Sequence, residues 1–444
     1  MFDVPFRTLR CSLLGLAMAA AWPAARAEAV HAAEADTAAV GRAPVGDVSV
    51  GDAPSLSLPQ ALALALDHNP GLRAARQALA ASEGAVLQSQ ARPNPELAYS
   101  QEDTRSSTRS VTLQWNQTVE VGGKRAARMR VAERGRDVVR AELAAAEAAL
   151  RADVRAAFFS LLAAQQRVSL ARQSLEIARG AREAAAKRVA AGKIAPLEET
   201  KARVAESGAQ LELAQAQSGL RVARGQMQAL WGDAVRPFGD AIGEGSGGVD
   251  ALPEVPALQA LQQRMEQAPA VLRARQALAQ SRAVAELERA RRLPDPTLSL
   301  GVKRATEVGR NQLVVGISVP LPVFDSNRGN QLQALRLADR AEDELQAVRI
   351  QLQAQVFEAR EQLQASSQQA RLLAGEVLPT ARTAYELAAR GFALGKFAYL
   401  DVLDAQRTWS EARSQYLEQL LATQRAAADI DRLLGAEPSD RTTP

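Results

Sequence analysis

The sequence predicts a mainly α-helical protein with a small β part in a membrane, built as two tandem repeats. Three observations predict this fold class. Gly192–Gly232 aligns without a gap on Gly395–Gly435, each half contains two short segments of alternating apolar and polar residues, and a long amphipathic stretch follows each pair. A duplicated supersecondary unit indicates a pseudo-symmetric assembly. Each repeat is therefore predicted to run helix, strand, strand, long helix, helix.

The first 27 residues have the pattern of a secretory signal peptide. Basic residues precede an apolar run from Leu13 to Trp22, and Ala25-Arg26-Ala27 offers a cleavage motif of small residues. The segment 28–57 is rich in Ala, Gly, Asp and Pro without a period, which indicates a flexible N-terminal leader. The sequence thus predicts export from the cytoplasm.

The composition excludes several function classes. Basic residues exceed acidic ones only slightly, 54 to 50, and the charges alternate along helical stretches, so no nucleic-acid partner is expected. The only cysteine, Cys11, lies in the signal peptide, and the only histidines are His31 and His68. These residues cannot form a thiolate metal site or a histidine-based triad, so we expect neither an enzyme nor a cofactor or metal site.

The domain boundaries follow the repeats. A helix opens each repeat, and the first, from Leu58 to Ala91, is expected to kink at Pro70. A stretch rich in glycine and proline separates the two halves, and this composition predicts a linker. The first repeat, linker, second repeat and C-terminal tail are placed at 58–232, 233–256, 257–435 and 436–444.

Each repeat contains two segments in which apolar and polar residues alternate. A period of two is typical of a strand with one apolar and one polar face, and a tilted strand crosses a bilayer with about 9–11 residues. A soluble hairpin half-buried on the helices is the alternative. Membrane strands are favoured because the polar rows suit a wet lumen and because Tyr99 and Trp115 suit a membrane interface. The apolar rows are Leu97 and Tyr99; Val111, Leu113, Trp115 and Val119; Leu298, Leu300 and Val302; and Leu313, Val315, Ile317 and Val319.

A long helix is predicted after each strand pair. Apolar residues recur at three- and four-residue spacing from Leu143 to Leu161 and again from Leu345 to Leu363, as in a coiled coil. About 65 residues at 1.5 Å each form a helix of roughly 100 Å, which is too long for a compact domain. The second long helix is expected to break, or to carry a small side element, near Gly375 and Pro379.

Four strands cannot close a ring of their own. An open sheet in lipid would leave two edges of unpaired backbone groups, which hydrocarbon does not tolerate. The smallest closed membrane barrels have about eight strands. The strand count therefore predicts a homo-oligomer that pools its strands, and three copies would supply a twelve-stranded pore.

Specific motifs at the ends of these elements resemble those of the TolC family of outer-membrane efflux factors. Val119–Arg125 and Val319–Phe324 are similar to the family's two strand-to-helix junctions, and Leu400–Gln406 after Gly395 is similar to its helical-hairpin tip. The likeness runs from about Leu58 to Gly435. The Gly-Gly-Lys-Arg junction resembles the branch that serves heavy-metal efflux of the cobalt–zinc–cadmium kind.

The resemblance implies a homotrimer in the outer membrane of a Gram-negative bacterium, with a β-barrel in lipid continuous with a periplasmic α-barrel. It also implies a periplasmic adaptor protein and an inner-membrane pump of the resistance-nodulation-division type as partners. The implied function is a passive exit duct for cations such as cobalt, zinc and cadmium. The alternatives are a duct for drugs, other small molecules or type I protein secretion, and, less favoured, a soluble periplasmic helical scaffold.

The resemblance also implies roles for particular residues. The adaptor would contact the two helical tips, at Gly192 and Lys193 and at Gly395 and Lys396. A cation-favouring constriction would be formed by Asp401 and Asp404, although acidic residues also occur in a first helical turn simply to complement the dipole. Phe397 and Phe392 replace polar gate residues of the family, so apolar closure is expected. The strand–helix junctions would use Gly122, Gly123, Lys124, Arg125, Pro320 and Pro322.

Overall fold

The computed structural model describes residues 54–232, 238–243 and 252–435. The predicted signal peptide and C-terminal tail, and most of the predicted leader and linker, lie outside these residues. The described chain is mainly helical with one small sheet, as predicted. Its helices are α1 Leu58–His68, α2 Pro70–Ser89, α3 Lys124–Ala190, α4 Pro196–Ala229, α5 Leu258–Met265, α6 Pro269–Ala290, α7 Arg328–Leu372, α8 Leu378–Ala393 and α9 Tyr399–Leu434. Its strands are β1 Glu96–Glu102, β2 Ser110–Thr118, β3 Thr297–Ala305 and β4 Asn311–Ser318.

The helix predicted to kink at Pro70 is two helices. Asn69 between them has an extended backbone, with φ −61° and ψ 121°, because a residue before proline avoids the helical region. The Asn69 side chain accepts a hydrogen bond of 2.8 Å from the Leu72 N–H and donates one of 2.7 Å to the Leu230 carbonyl. The start of α2 is thereby attached to the end of α4.

The four strands form one antiparallel sheet in the order β1-β2-β3-β4, so that β1 and β4 are its edges. The register brings the apolar residues of neighbouring strands side by side, for example Trp115 between Leu97 and Leu300. The apolar residues of this face are exposed, except for Val111, which is partly buried. The opposite face carries polar and small residues, including Thr112, Gln114, Asn116, Ser299, Gly301 and Lys303. The predicted strand segments and their two-faced character are confirmed.

The helices bury two main apolar clusters. The first combines α1, the start of α2, α3 and the end of α4 with residues of α7 and α9. The second combines α5, α6, α7 and the end of α9. The predicted apolar spacing is confirmed on α3 and α7. Its buried members include Leu150, Val154, Phe158, Leu161, Leu345, Leu352, Val356 and Leu363.

Long helices carry these clusters away from the sheet. With 67 residues, α3 is about 100 Å long. Within the described part of the chain, no helix has both the length and the apolar character that crossing a membrane requires.

The expected break of the second long helix takes a milder form. Between α7 and α8 the chain stays helical through a π-helical turn, Leu373–Val377. A π-turn inserts one extra residue into the helix and shifts its hydrogen bonding from the fourth to the fifth residue. Pro379, which has no N–H to donate, then falls in the first turn of α8, where proline is tolerated. No side element interrupts the helix there.

Part of the predicted linker packs against the first cluster. Phe238 and Ala241 are buried, and the Phe238 ring lies edge-on to Trp231 at 5.7 Å between ring centres. Leu56 forms an isolated parallel bridge with Ala241. This contact holds the segment 238–243 beside the chain that leads into α1.

Candidate functional site

The tip of the first helical hairpin, between α3 and α4, is fixed by backbone hydrogen bonds. The Gly192 N–H donates to the Val189 carbonyl and the Lys193 N–H donates to the Arg188 carbonyl, each over 2.9 Å. This pair of bonds is the Schellman motif, which requires a left-handed residue at the position of Gly192, where φ is +66°. Lys193 is exposed at the end of the hairpin.

The tip of the second hairpin, between α8 and α9, repeats this geometry. The Gly395 N–H donates to the Phe392 carbonyl over 3.0 Å, and the Lys396 N–H donates to the Gly391 carbonyl over 2.8 Å. Gly395 has φ +75°. The structure therefore presents two equivalent turns, each with a left-handed glycine followed by an exposed lysine.

A small group of residues joins the two hairpins near these tips. We call it the tip cluster; its members are Ala181, Ala185, Ile194, Ala202, Phe392 and Leu403. Ala185 and Ala202 are fully buried. Beyond the tip cluster the hairpins enclose a cleft of about 730 Å³, lined mainly by small and polar residues such as Ser174, Ala205, Gly208, Ser410 and Ser414. The tip cluster is thus a local apolar contact between the two hairpins, and the cleft lies next to it.

Arg188 of α3 adds a polar contact to this cluster. Its guanidinium carbon lies 4.1 Å from the centre of the Phe392 ring, and its Nη2 donates a hydrogen bond of 2.9 Å to the Phe392 carbonyl. Phe397, the second aromatic residue predicted for the gate, is half exposed and covers Gly391. A Cβ atom at Gly391 would lie 2.1 Å from Phe397 Cδ2, so only glycine permits this approach.

The predicted acidic pair lies at the start of α9. Asp401 and Asp404 are both exposed and, being three residues apart on a helix, share one face. The Asp401 carboxylate accepts a hydrogen bond of 2.9 Å from the Ala398 N–H, which caps the helix. In the first hairpin the matching residues, Glu198 and Lys201, form an ion pair of 3.0 Å. Only the second hairpin therefore presents two carboxylates on this face.

The first strand–helix junction is held by charged groups. Gly122 and Gly123 both have left-handed backbones, with φ +71° and +73°. Asp295, just before β3, accepts a 2.9 Å hydrogen bond from the Val121 N–H and pairs with Lys124 at 2.7 Å. The Arg125 side chain donates to the Gln90 carbonyl over 2.9 Å and so attaches α3 to the end of α2.

The sequence did not predict a role for Arg128 at this junction. Arg128 pairs with Glu120 through its guanidinium group. It also donates to the carbonyls of Ser89 and Ala91, over 3.0 and 2.8 Å. An arginine one turn after the Gly-Gly pair was the available signal, but the sequence did not show which carbonyls it reaches.

The second junction is apolar. Between β4 and α7 the loop 319–327 carries Pro320 and Pro322, both exposed, with Leu321, Val323 and Phe324 exposed beside them. Asn327 closes the loop with φ +58° and donates to the Glu288 carbonyl over 2.9 Å. The two junctions therefore differ in chemistry although the repeats match.

The sequence did not predict a role for Arg188 either. The only available signal was a difference between the repeats, because aligning Gly192 with Gly395 places Arg188 opposite Gly391. Among the described residues, no three or more His, Cys, Asp and Glu side chains are grouped so that they could hold a metal ion.

Two tandem repeats, a two-faced sheet and paired helical hairpins define the class of TolC-like channels. The family model described as "Outer membrane efflux protein" matches residues 61–233 and 260–436, and the chain belongs to this family. Members of the family are transport ducts and not enzymes, so the chain is the channel part of an efflux system.

The chain is similar to proteins of known role and of known structure. It is 48% identical over 380 residues to the cobalt-zinc-cadmium resistance protein CzcC of Cupriavidus metallidurans, covering 86% of this chain and 90% of that protein. The predicted resemblance to that branch is thereby confirmed. A solved membrane protein from Pseudomonas aeruginosa matches with TM-score 0.74 and 20% identity, over 86% of this chain and 91% of its own. The solved channel CusC matches with TM-score 0.72 and 19% identity, over 86% and 92%. These two structures confirm the predicted TolC-like fold.

Proposed function

We propose that the protein is the passive exit duct for divalent heavy-metal cations such as cobalt, zinc and cadmium. The observation that carries the proposal is the 48% identity to a cobalt-zinc-cadmium resistance protein over 86% of the chain. The duct would complete a tripartite system whose energy comes from an inner-membrane pump of the resistance-nodulation-division type. A periplasmic adaptor protein would connect pump and duct.

Three copies assemble into the duct. The sheet has four strands and two free edges, and its exposed apolar face suits lipid while its polar face suits water. Joining three sheets edge to edge closes a β-barrel in the outer membrane and removes every free edge. Helices α3, α4, α7, α8 and α9 extend from that barrel into the periplasm.

The helical tips face the adaptor. Both tips end in a rigid backbone motif that presents an exposed lysine, Lys193 or Lys396, to a partner. A rigid turn loses little conformational entropy on binding, which favours a docking role. The tip cluster and the Arg188–Phe392 contact hold the two hairpins together and keep the duct closed until the adaptor binds.

The constriction favours cations. On the second hairpin Asp401 and Asp404 share one face, and three-fold repetition forms stacked carboxylate rings that attract cations and repel anions. The first hairpin adds no net charge at the matching face because Glu198 and Lys201 neutralise each other. The carboxylates act as a series of weak binding sites, from which a passing cation is readily released.

Deletion of the gene, followed by a sensitivity panel, tests the proposed cargo. We expect the deletion strain to become sensitive to cobalt, zinc and cadmium and to keep its tolerance of hydrophobic drugs. Expression of the intact chain from a plasmid should restore tolerance. Increased sensitivity to drugs alone, or loss of a secreted protein with unchanged metal tolerance, would overturn the proposal in favour of a drug duct or a protein-secretion duct.

A further inference from the structure

The polar face of the sheet carries few charges, and two of them form an ion pair. Within the four described strands, the charged residues of this face are Glu96, Glu102 and Lys303. Glu96 lies at the end of the sheet next to the helices. Glu102 and Lys303 lie at the opposite end, beside the turns that connect β1 to β2 and β3 to β4, which we call the loop end. The Lys303 Nζ donates a hydrogen bond of 2.8 Å to Glu102 Oε2.

This ion pair reaches across a strand. Glu102 belongs to β1 and Lys303 to β3, so the two side chains together bridge about 9–10 Å, twice the spacing between neighbouring strands. The β2 residues beneath the pair are small, since Ser110 lies opposite Glu102 and Thr112 lies opposite Lys303. Ser110 is only 6% exposed, and its Oγ donates a hydrogen bond of 3.0 Å to the same Glu102 oxygen. The Glu102 carboxylate is thus held over β2 by both donors.

The two members of the pair occupy equivalent positions of the two repeats. Pro93-Asn94-Pro95 matches Pro294-Asp295-Pro296, so that Glu102 of β1 corresponds to Lys303 of β3. The repeats therefore carry opposite charges at this position. Because one chain contains both repeats, the two charges cancel at the loop end.

We infer that the Glu102–Lys303 pair determines the ion selectivity of the duct at its loop end, by keeping the lumen there free of net charge. The inference rests on the proposed three-copy duct, in which the polar face of the sheet surrounds water and three such pairs line the lumen. Carboxylates alone would retain divalent cations at this end, and ammonium groups alone would repel them. A neutral loop end instead releases the cations that the rings of Asp401 and Asp404 admit at the tips.

The size of the effect follows from electrostatics. Three uncompensated charges about 10 Å from the pore axis, in about 0.1 M salt, change the local concentration of a monovalent ion about two-fold. The change grows with the charge of the ion, to about five-fold for a divalent ion and about ten-fold for a trivalent ion. The side chains of Glu102 and Lys303 are 67% and 31% exposed, so breaking the pair should affect selectivity more than stability.

Single-channel recording of the purified protein in planar bilayers tests the inference. Glu102→Gln leaves Lys303 uncompensated, and the ratio of cation to anion permeability should fall about four-fold. Lys303→Gln leaves the carboxylates uncompensated, and the ratio should rise by a similar factor. Glu102→Gln with Lys303→Gln should keep the native ratio, because it leaves the loop end neutral. The charge exchange Glu102→Lys with Lys303→Glu should keep the native ratio for the same reason.

Block by a trivalent cation, added to each side of the bilayer in turn, locates the effect along the duct. Lanthanum should block Lys303→Gln at a concentration about ten-fold lower than the native chain, and from one side only. Asp401→Asn with Asp404→Asn should change the block from the opposite side. Arg304 lies next to Lys303 on the apolar face and gives the matched control. Arg304→Gln removes the same charge outside the lumen and should change neither the permeability ratio nor the block.

Three results would overturn the inference. One is a native permeability ratio in both single variants, Glu102→Gln and Lys303→Gln. The second is a charge-exchange variant that behaves like either single variant, because selectivity would then not depend on the pair. The third is an equal shift with Arg304→Gln and Lys303→Gln, which would place the effect outside the lumen. A native chain that forms no pores in the bilayer would instead overturn the proposed duct itself.

Discussion

Arg188 and Phe392 lie on different helical hairpins, and one side chain joins them in two ways. The Arg188 guanidinium carbon is 4.1 Å from the Phe392 ring centre, and its Nη2 donates to the Phe392 carbonyl over 2.9 Å. Phe392 also belongs to the tip cluster, which contains residues of both hairpins. The contact therefore combines apolar packing, a cation–π interaction and a hydrogen bond at the end of the long helices.

Replacing Arg188 should favour the open duct. A cation–π contact contributes about 1 kcal/mol, so Arg188→Ala should shift the closed-to-open equilibrium about five-fold per copy. We expect larger single-channel conductance or higher open probability in planar bilayers. Arg188→Lys should have a smaller effect, because the ammonium keeps the charge and loses the planar donor group.

A matched control separates this contact from general loss of charge on α3. Arg182 pairs with Glu206 at 2.6 Å, within the first hairpin. Arg182→Ala should therefore leave the conductance unchanged. A double-mutant cycle with Phe392→Leu should show that the two substitutions are not additive. Equal effects of Arg182→Ala and Arg188→Ala, or simple additivity, would contradict a specific role for the Arg188–Phe392 contact.

Neutralising the acidic pair should weaken the interaction of the duct with cations. Asp401→Asn with Asp404→Asn removes both charges, while the asparagine oxygen at 401 still accepts from the Ala398 N–H and preserves the helix cap. We expect weaker block by divalent cations and a lower cation preference in planar bilayers. Glu198→Gln with Lys201→Gln, which removes a neutral pair, should change neither property. Unchanged cation block in the double aspartate variant would leave Asp401 with a capping role only.

The tip glycines should be needed for export and dispensable for assembly. Gly395 has φ +75°, which proline cannot adopt, so Gly395→Pro should disrupt the tip and abolish metal tolerance. Gly395→Ala should be milder, because a left-handed alanine costs about 1–2 kcal/mol. Gly180, a helical glycine with open space around it, gives the control Gly180→Ala, which should be neutral. Full metal tolerance with Gly395→Pro, in trimers that remain intact, would contradict a docking role for the tip.

The sequence predicted the elements better than the contacts between them. Strand alternation, helical spacing and the duplicated glycines depend on local geometry, so β1 to β4, α3 and the two tips were all found. The Arg188–Phe392 contact joins residues 204 positions apart, and its arginine has no counterpart in the other repeat. Likewise Asp401 was found, but its hydrogen bond to Ala398 depends on where α9 begins. Such pairings follow from tertiary packing, which periodicity does not specify.

The ion pair between Lys124 and Asp295 should contribute measurably to stability. Their side chains are only 12% and 25% exposed, and Asp295 also accepts from the Val121 N–H. Asp295→Ala leaves both partners unsatisfied and should destabilise the protein by about 2 kcal/mol. The exposed pair of Arg130 and Glu286, at 3.0 Å between α3 and α6, supplies the control. Glu286→Ala should cost at most about 0.5 kcal/mol. Thermal unfolding monitored by circular dichroism compares the Asp295→Ala and Glu286→Ala variants. Equal melting temperatures for both variants would contradict a special role of Asp295 at the junction.

Ionisation of Tyr385 should destabilise the fold at alkaline pH. Its ring stacks on Trp409, with 5.3 Å between ring centres and 10° between planes, and burial raises the pKa of the Tyr385 phenol above its ordinary value. A raised folded-state pKa means that the folded chain holds the proton more tightly than the unfolded chain. The associated stability is complete below a pH of about 10 and is lost as pH rises through the raised pKa.

Tyr385→Phe keeps the ring and removes the titrating group. We expect the variant to melt at the same temperature as the native chain near about pH 8, and to lose less stability between about pH 8 and about pH 11. The near-ultraviolet absorbance of phenolate provides a direct check, since the variant should lack a component that titrates late in the folded native chain. The opposite result would be that Tyr385→Phe removes a phenolate component that titrates early and leaves the alkaline melting profile unchanged. That result would show that burial against Trp409 does not control the ionisation of Tyr385.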